Sequence, residues 1–153
     1  MNLASNLVAT ARDHADGAAI RVGETATTYR ELDEASARVA GLLRERGLRP
    51  GDRVGVMLPN VAEFAAVYYG VLRAGGVVVP MNPLLKAREV NYYLADSGAR
   101  LIFGWHAFAG EAQGGAQHTD AQVVVVNPAS FADLTAQATQ ITGSPTVTTR
   151  TPR

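Results

Sequence analysis

RVGVMLPNVAEFAAVYYGVLRAGGVVVPM, residues 53–81, runs from an apolar β-rich segment through a helix-period segment into a second β-rich segment. Val54, Val56, Met57 and Leu58 suit a strand covered on both faces, and Pro59 ends it. Asn60 followed by Glu63 predicts a capping pair at the start of a helix over residues 61–74, closed by Gly75 and Gly76. Being apolar all round, that helix is expected to be buried. Residues 77–81 then read as the next buried strand. Strand, helix and strand in direct succession is the unit from which parallel sheets with helical crossovers are built.

The flanking sequence extends the same alternation. Upstream, a short helix is expected over residues 3–14, then strands over 18–22 and 25–29 separated by Gly23 and Glu24 as a hairpin-like turn. Leu32, Ala35, Val39, Leu42 and Leu43 form one apolar stripe of a following helix. Thr28 and Glu31 read as its capping box and Gly47 as its left-handed C′ residue. Arg49, Pro50, Gly51 and Asp52 make the turn into the quoted segment. Downstream, Pro83 introduces a loop, and residues 86–95 form a helix ending at Asp96, Ser97 and Gly98. Strands follow at 100–103 and 122–126, with a polar, glycine-bearing stretch between them that holds one short helix at most. A weak helix is expected at 130–138. The fold class is α/β, with a largely parallel sheet flanked by helices. Residues 142–153 carry five threonines without an apolar period and read as an unstructured tail. No internal repeat is visible.

Composition narrows the functions. Fourteen Lys plus Arg balance fourteen Asp plus Glu, so nothing in the net charge points to nucleic acid. Arg44, Arg46, Arg49 and Arg53 alternate with Glu45 and Asp52 without interleaved aromatics, and read as a solvated face. With 47% hydrophobic and 18% charged residues, the chain has the apolar content to bury one domain's core. The absence of cysteine removes disulfides, thiolate metal sites and thiol nucleophiles. His14, His106 and His118 lack ligand spacing. The start of the chain lacks the charged segment of a signal peptide, and Arg73 interrupts the most apolar stretch, so a cytoplasmic protein without a membrane span is expected.

A search for a catalytic constellation finds little. There is no nucleophile elbow, Walker-type loop or Gly-x-Gly-x-x-Gly after a strand. Gly110, Gly114 and Gly115 read as a surface loop. Glu63 reads as a cap rather than a general base, and Asp52 as part of a turn. Tyr68, Tyr69, Tyr92 and Tyr93 read as core packing divided between interior and rim. Lys86, the sole lysine, sits in the first turn of a helix with no neighbour that would activate it, and is expected to be exposed.

Several short segments in fixed order carry a resemblance. They are Thr28-Tyr29-Arg30-Glu31-Leu32, Gly47-Leu48-Arg49-Pro50-Gly51-Asp52-Arg53-Val54, Pro59-Asn60 with Glu63-Phe64, and Tyr69-Gly70 with Leu72-Arg73-Ala74-Gly75-Gly76-Val77. Val79-Pro80-Met81-Asn82-Pro83, Glu89-Val90, Tyr92, Leu94 and Asp96-Ser97-Gly98-Ala99 complete the series. Together they resemble the start of the adenylate-forming (AMP-binding) superfamily, and within it the acyl-CoA synthetases, over residues 6–134.

The resemblance implies a reaction in two halves. A carboxylate attacks the α-phosphate of ATP to give an acyl-adenylate and pyrophosphate, and the thiol of coenzyme A then displaces AMP, with Mg2+ accompanying the ATP. The parent's partners would be a carboxylic (fatty) acid, ATP and CoA. The family's Ser/Thr/Gly-rich phosphate loop with its lysine, its Tyr-Gly-x-Thr-Glu segment, its ribose-binding aspartate and the catalytic lysine of its C-terminal domain find no match here. The resemblance therefore assigns no catalytic, cofactor-binding or metal-binding residue to this chain. Asn60, Tyr69 and Asn82 match motif positions, where a structural role fits as readily as a ligand contact. Residues 1–141 are expected to form an incomplete N-terminal AMP-binding-enzyme subdomain, and residues 142–153 a disordered Thr-rich tail. A frameshift, a premature stop or a deliberately shortened polypeptide would account for that pattern.

The chain alone is then expected to be non-catalytic, with no cofactor of its own, and prone to self-association through exposed apolar surface. The alternative is a non-enzymatic half-domain that pairs with a separately encoded remainder or a homologue. A third reading, an independent flavodoxin-like or receiver-like domain, would need acidic residues clustered at strand ends for Mg2+, and none is clustered there.

Overall fold

The computed structural model describes residues 2–136 and residue 142. Helix α1 (Ala4–Asp13) leads into an antiparallel hairpin of β1 (Ala18–Val22) and β2 (Thr25–Thr28). Then come α2 (Tyr29–Glu45), β3 (Arg53–Met57), α3 (Ala62–Arg73), β4 (Val77–Pro80) and α4 (Ala87–Ser97). β5 (Leu101–Trp105), a 3-10 turn (His106–Phe108), α5 (Ala109–Ala116), β6 (Gln122–Val126) and α6 (Phe131–Ala136) complete the order. The main sheet runs β4-β3-β5-β6, and every neighbouring pair is parallel. Val54 of the central strand β3 stands between Val78 and Leu101. The fold is thus α/β with a parallel sheet flanked by helices, as the alternation of apolar runs predicts.

Period-two alternation along the central strands separates two cores. Val54, Val56, Leu101 and Phe103 pack with Val39, Leu43, Val67 and Val71 from α2 and α3. Met57 and Ile102 point the other way, onto Val90 and Leu94 of α4 and Ala112 and Ala116 of α5. Each layer is tightened by a glycine at a helix crossing. A Cβ at Gly70 would collide with Cβ and Cγ1 of Val39, and one at Gly115 with the same atoms of Val90.

Helix α2 starts where its sequence says. Thr28 Oγ1 accepts the Glu31 N–H at 3.2 Å, and Glu31 Oε2 accepts the Thr28 N–H at 2.8 Å, a complete capping box. At the other end Gly47 takes a φ of +88°, a conformation that a side chain would strain.

Five expectations are corrected. The Asn60–Glu63 capping pair does not form, because the Val61 N–H bonds the Pro59 carbonyl at 2.9 Å and Val61 becomes the N-cap. Asn60 is thereby left outside the helix and Glu63 one place too early to reach back. Helix α3 is buried along one stripe, Ala66, Val67, Gly70, Val71 and Arg73, with its other side half-exposed. Among the described residues strand β4 lies at the sheet edge rather than being buried, and Val77 is 46% exposed. Gly110, Gly114 and Gly115 lie within α5 and not in a loop, since Gly114 and Gly115 let α5 approach Ala87 and Val90 of α4. Lys86 is the N-cap of α4, one place before its first turn. The Thr-rich tail and the end of the 130–138 helix fall outside the described residues, Thr142 excepted.

Candidate functional site

Strand order locates the natural crevice. The chain steps from β3 to β4, crosses back over β3 to β5 and continues to β6, so the direction of winding reverses between β3 and β5. In open parallel sheets ligands bind outside the carboxyl ends of the strands at such a reversal. Pro59 and Asn60 follow β3 there, and Trp105 and His106 close β5. Asn60 and His106 are exposed. The Trp105 and His106 rings lie 4.7 Å apart at 55°, an arrangement that leaves ring faces for a planar group.

A second concavity, of about 280 Å3, opens between α2, α3 and α6. Leu32, Ala35, Ala66 and Phe131 give it an apolar floor, and Glu31, Arg38 and Glu63 stand on its walls. Glu31 is engaged in the capping box. Among the described residues, Glu63 is thus the other carboxylate lining the cleft, and Arg38 its guanidinium.

The remaining residues singled out in the sequence serve the scaffold. Asp52 Oδ2 accepts the Arg49 N–H at 2.9 Å and holds the turn before β3. Asn82 Oδ1 accepts the Leu84 N–H at 2.9 Å and turns the chain after β4. Tyr69 meets Tyr68 edge to face at 5.5 Å and lines a groove with Tyr29, Ile20 and Leu32 beneath the hairpin. Tyr92 and Tyr93 are 67% and 43% exposed, which corrects their reading as core. Val90 and Leu94, one turn apart, take the buried face of α4 instead. Lys86 is exposed as expected, with Nζ 3.9 Å from Glu111 Oε1. Arg44, Arg46, Arg49 and Arg53 are all exposed.

One polar cluster was not visible in the sequence. Arg73 is wholly buried, and its Nη1 donates to Asp33 Oδ1 at 2.7 Å, to the Asp33 carbonyl at 2.9 Å and to Ser36 Oγ at 2.8 Å. Burying a guanidinium is costly unless its donors find acceptors, and α2 supplies those of Nη1, while Nε is buried without a hydrogen-bond partner among the described residues. The signal was an arginine inside an apolar stripe, with Asp33 and Ser36 three apart on the partner helix. Among the described residues, no three His, Asp or Glu side chains group to hold a metal ion, and no helix is long and apolar enough to cross a membrane.

Comparison with known proteins gives the arrangement its context. The model of the AMP-binding enzyme family matches residues 7–152. The chain is 38% identical over 108 residues to the long-chain-fatty-acid–CoA ligase of Salmonella typhimurium, covering 70% of this chain and 19% of that protein. It is also 38% identical over 104 residues to the phosphinothricin tripeptide synthetase PhsC of Streptomyces viridochromogenes, covering 68% of this chain and 10% of that one. Among solved structures, the benzoate CoA ligase of Burkholderia xenovorans LB400 superposes with a TM-score of 0.86 at 27% identity, over 94% of this chain and 30% of the ligase. The chain therefore spans about a fifth of the curated ligase and under a third of the structural relative, and the likeness is to their N-terminal part. With the order of its motifs, the parallel sheet and the family match in agreement, the chain belongs to the AMP-binding enzyme family.

Proposed function

We propose that this chain is the N-terminal scaffold of an ATP-dependent acyl-CoA synthetase acting in the cytoplasm on a fatty or other carboxylic acid, and that it performs no catalysis alone. The carrying observation is the family match over residues 7–152 combined with what the polar side chains do. Thr28, Glu31, Asp52 and Asn82 hold helix starts and turns, and Arg73 with Asp33 holds two helices together. Adenylation needs donors around the phosphates and a cation for the developing charge. Among the described residues, no three His, Asp or Glu side chains group to hold the Mg2+ of that reaction. ATP, Mg2+ and CoA are accordingly ligands of the complete enzyme in this reading, and residues 1–141 are its incomplete N-terminal subdomain.

The test is ATP–pyrophosphate exchange with purified chain and a panel of saturated fatty acids and benzoate. No exchange above a protein-free blank is expected, and acid-dependent exchange by the chain alone would overturn the proposal.

A second reading, a half-domain that pairs with a separately encoded remainder, is favoured by one feature. Among the described residues no strand lies beyond β4, and another segment could pair on that edge. Mixing the chain with the complementary part of a homologous ligase distinguishes the two. Restored exchange supports pairing, and failure to form a complex supports the scaffold reading.

A further inference from the structure

A guanidinium has five N–H donors fixed in one plane. Arg73 directs Nη1 onto α2, through Asp33 and Ser36. Its Nη2 points elsewhere and donates at 2.8 Å to the main-chain carbonyl of Thr142, 69 residues further along the chain. The group is planar, so fixing Nη1 on α2 also fixes the direction of Nη2. Thr142 is exposed, so burial does not account for its position. Its acceptor is a backbone carbonyl, which any residue at 142 would supply; the specificity of the contact lies wholly in Arg73.

We propose that Arg73 is a positioning residue that latches the main chain at residue 142 onto the α2–α3 seam. Charge neutralisation of Asp33 does not explain the arrangement. The Asp33 side chain keeps 29% exposure and can be hydrated without a partner, whereas Arg73 has none. A lysine at 73 would serve Asp33 as well, but its donors rotate about a single nitrogen, whereas the guanidinium presents two nitrogens to separate acceptors in one fixed plane. The latch depends only on this geometry and stands apart from the ligase reading.

The absence of cysteine permits a clean test. Thr142→Cys keeps the carbonyl and accepts a nitroxide label, and Gln113→Cys on the exposed face of α5 gives a control label. Each is read by electron paramagnetic resonance in the parent chain and with Arg73→Lys, Arg73→Met or Asp33→Asn, with far-UV circular dichroism recorded throughout. The expected result is an immobilised component at 142 that is lost in both Arg73 variants. It should persist in Asp33→Asn, where Nη2 is intact, while the label at 113 is unchanged. Should Arg73→Met fail to fold, Arg73→Lys decides. A label at 142 that is mobile with Arg73 present would overturn the latch. So would equal loosening at 142 and 113, or loss of the circular dichroism signal in both Arg73 variants, since either assigns Arg73 to packing alone.

Discussion

Gly70 and Gly110 are both helical glycines, yet their substitutions should act in opposite directions. At Gly70 a methyl group would meet Val39, a β-branched residue whose Cβ is fixed to its backbone and cannot swing away. Alanine improves helix propensity by about 1 kcal/mol, but overpacking a close contact costs about 1–3 kcal/mol. Gly70→Ala is therefore expected to lower Tm by several degrees, and Val39→Ala added to it should restore part of the loss. At Gly110 a Cβ meets nothing within 4 Å, and its φ is not positive. Gly110→Ala should instead raise stability by about 0.5–1 kcal/mol. Thermal denaturation followed by circular dichroism checks both, and the same sign for the two would refute the close-approach account.

Among the elements, α4 owes its start to another helix. Glu111 of α5 reaches across, and its Oε2 accepts the Ala87 N–H at 2.7 Å, while Glu89 accepts the Lys86 N–H at 2.9 Å. Two N–H groups left free by the helix geometry are thus satisfied, one locally and one from 24 residues away. Glu111→Ala should cost about 1 kcal/mol, the usual loss for a removed cap. Faster amide exchange confined to the first turn of α4 is expected, with Glu111→Gln keeping most of the protection. The contrast with α2 shows what a sequence displays. Thr28 and Glu31 are three residues apart and the apolar stripe has its own period, so α2 is legible from its own residues. The rest depends on distant partners. Gly114 and Gly115 resemble loop residues until Ala87 and Val90 are placed against them. Arg73 resembles an interruption until Asp33, 40 residues earlier, is seen to hold it. Asn60 and Glu63 have the spacing of a cap, but Pro59 turns the chain before the spacing can be used.

For the whole molecule the decisive fact is where the sheet stops. Val-Val-Val-Pro reads alike on a central or an edge strand, so its burial was illegible, whereas the order β4-β3-β5-β6 leaves the outer side of β4 without a strand among the described residues. Val77 is 46% exposed there, and Leu84, just beyond the strand, is 65% exposed. A parallel-sheet edge with apolar side chains is a template for another strand, and Pro80, which has no N–H to offer, blunts only its end. The isolated chain should therefore associate as its concentration rises, and Val77→Lys, which adds an edge charge, should shift it towards monomer. Light scattering coupled to size-exclusion chromatography reads this directly. A concentration-independent monomer with a single cooperative unfolding transition would mean that β4 is covered in solution. Association unchanged by Val77→Lys would instead place the contact on another surface, the exposed Tyr92 and Tyr93 of α4 being the next to vary.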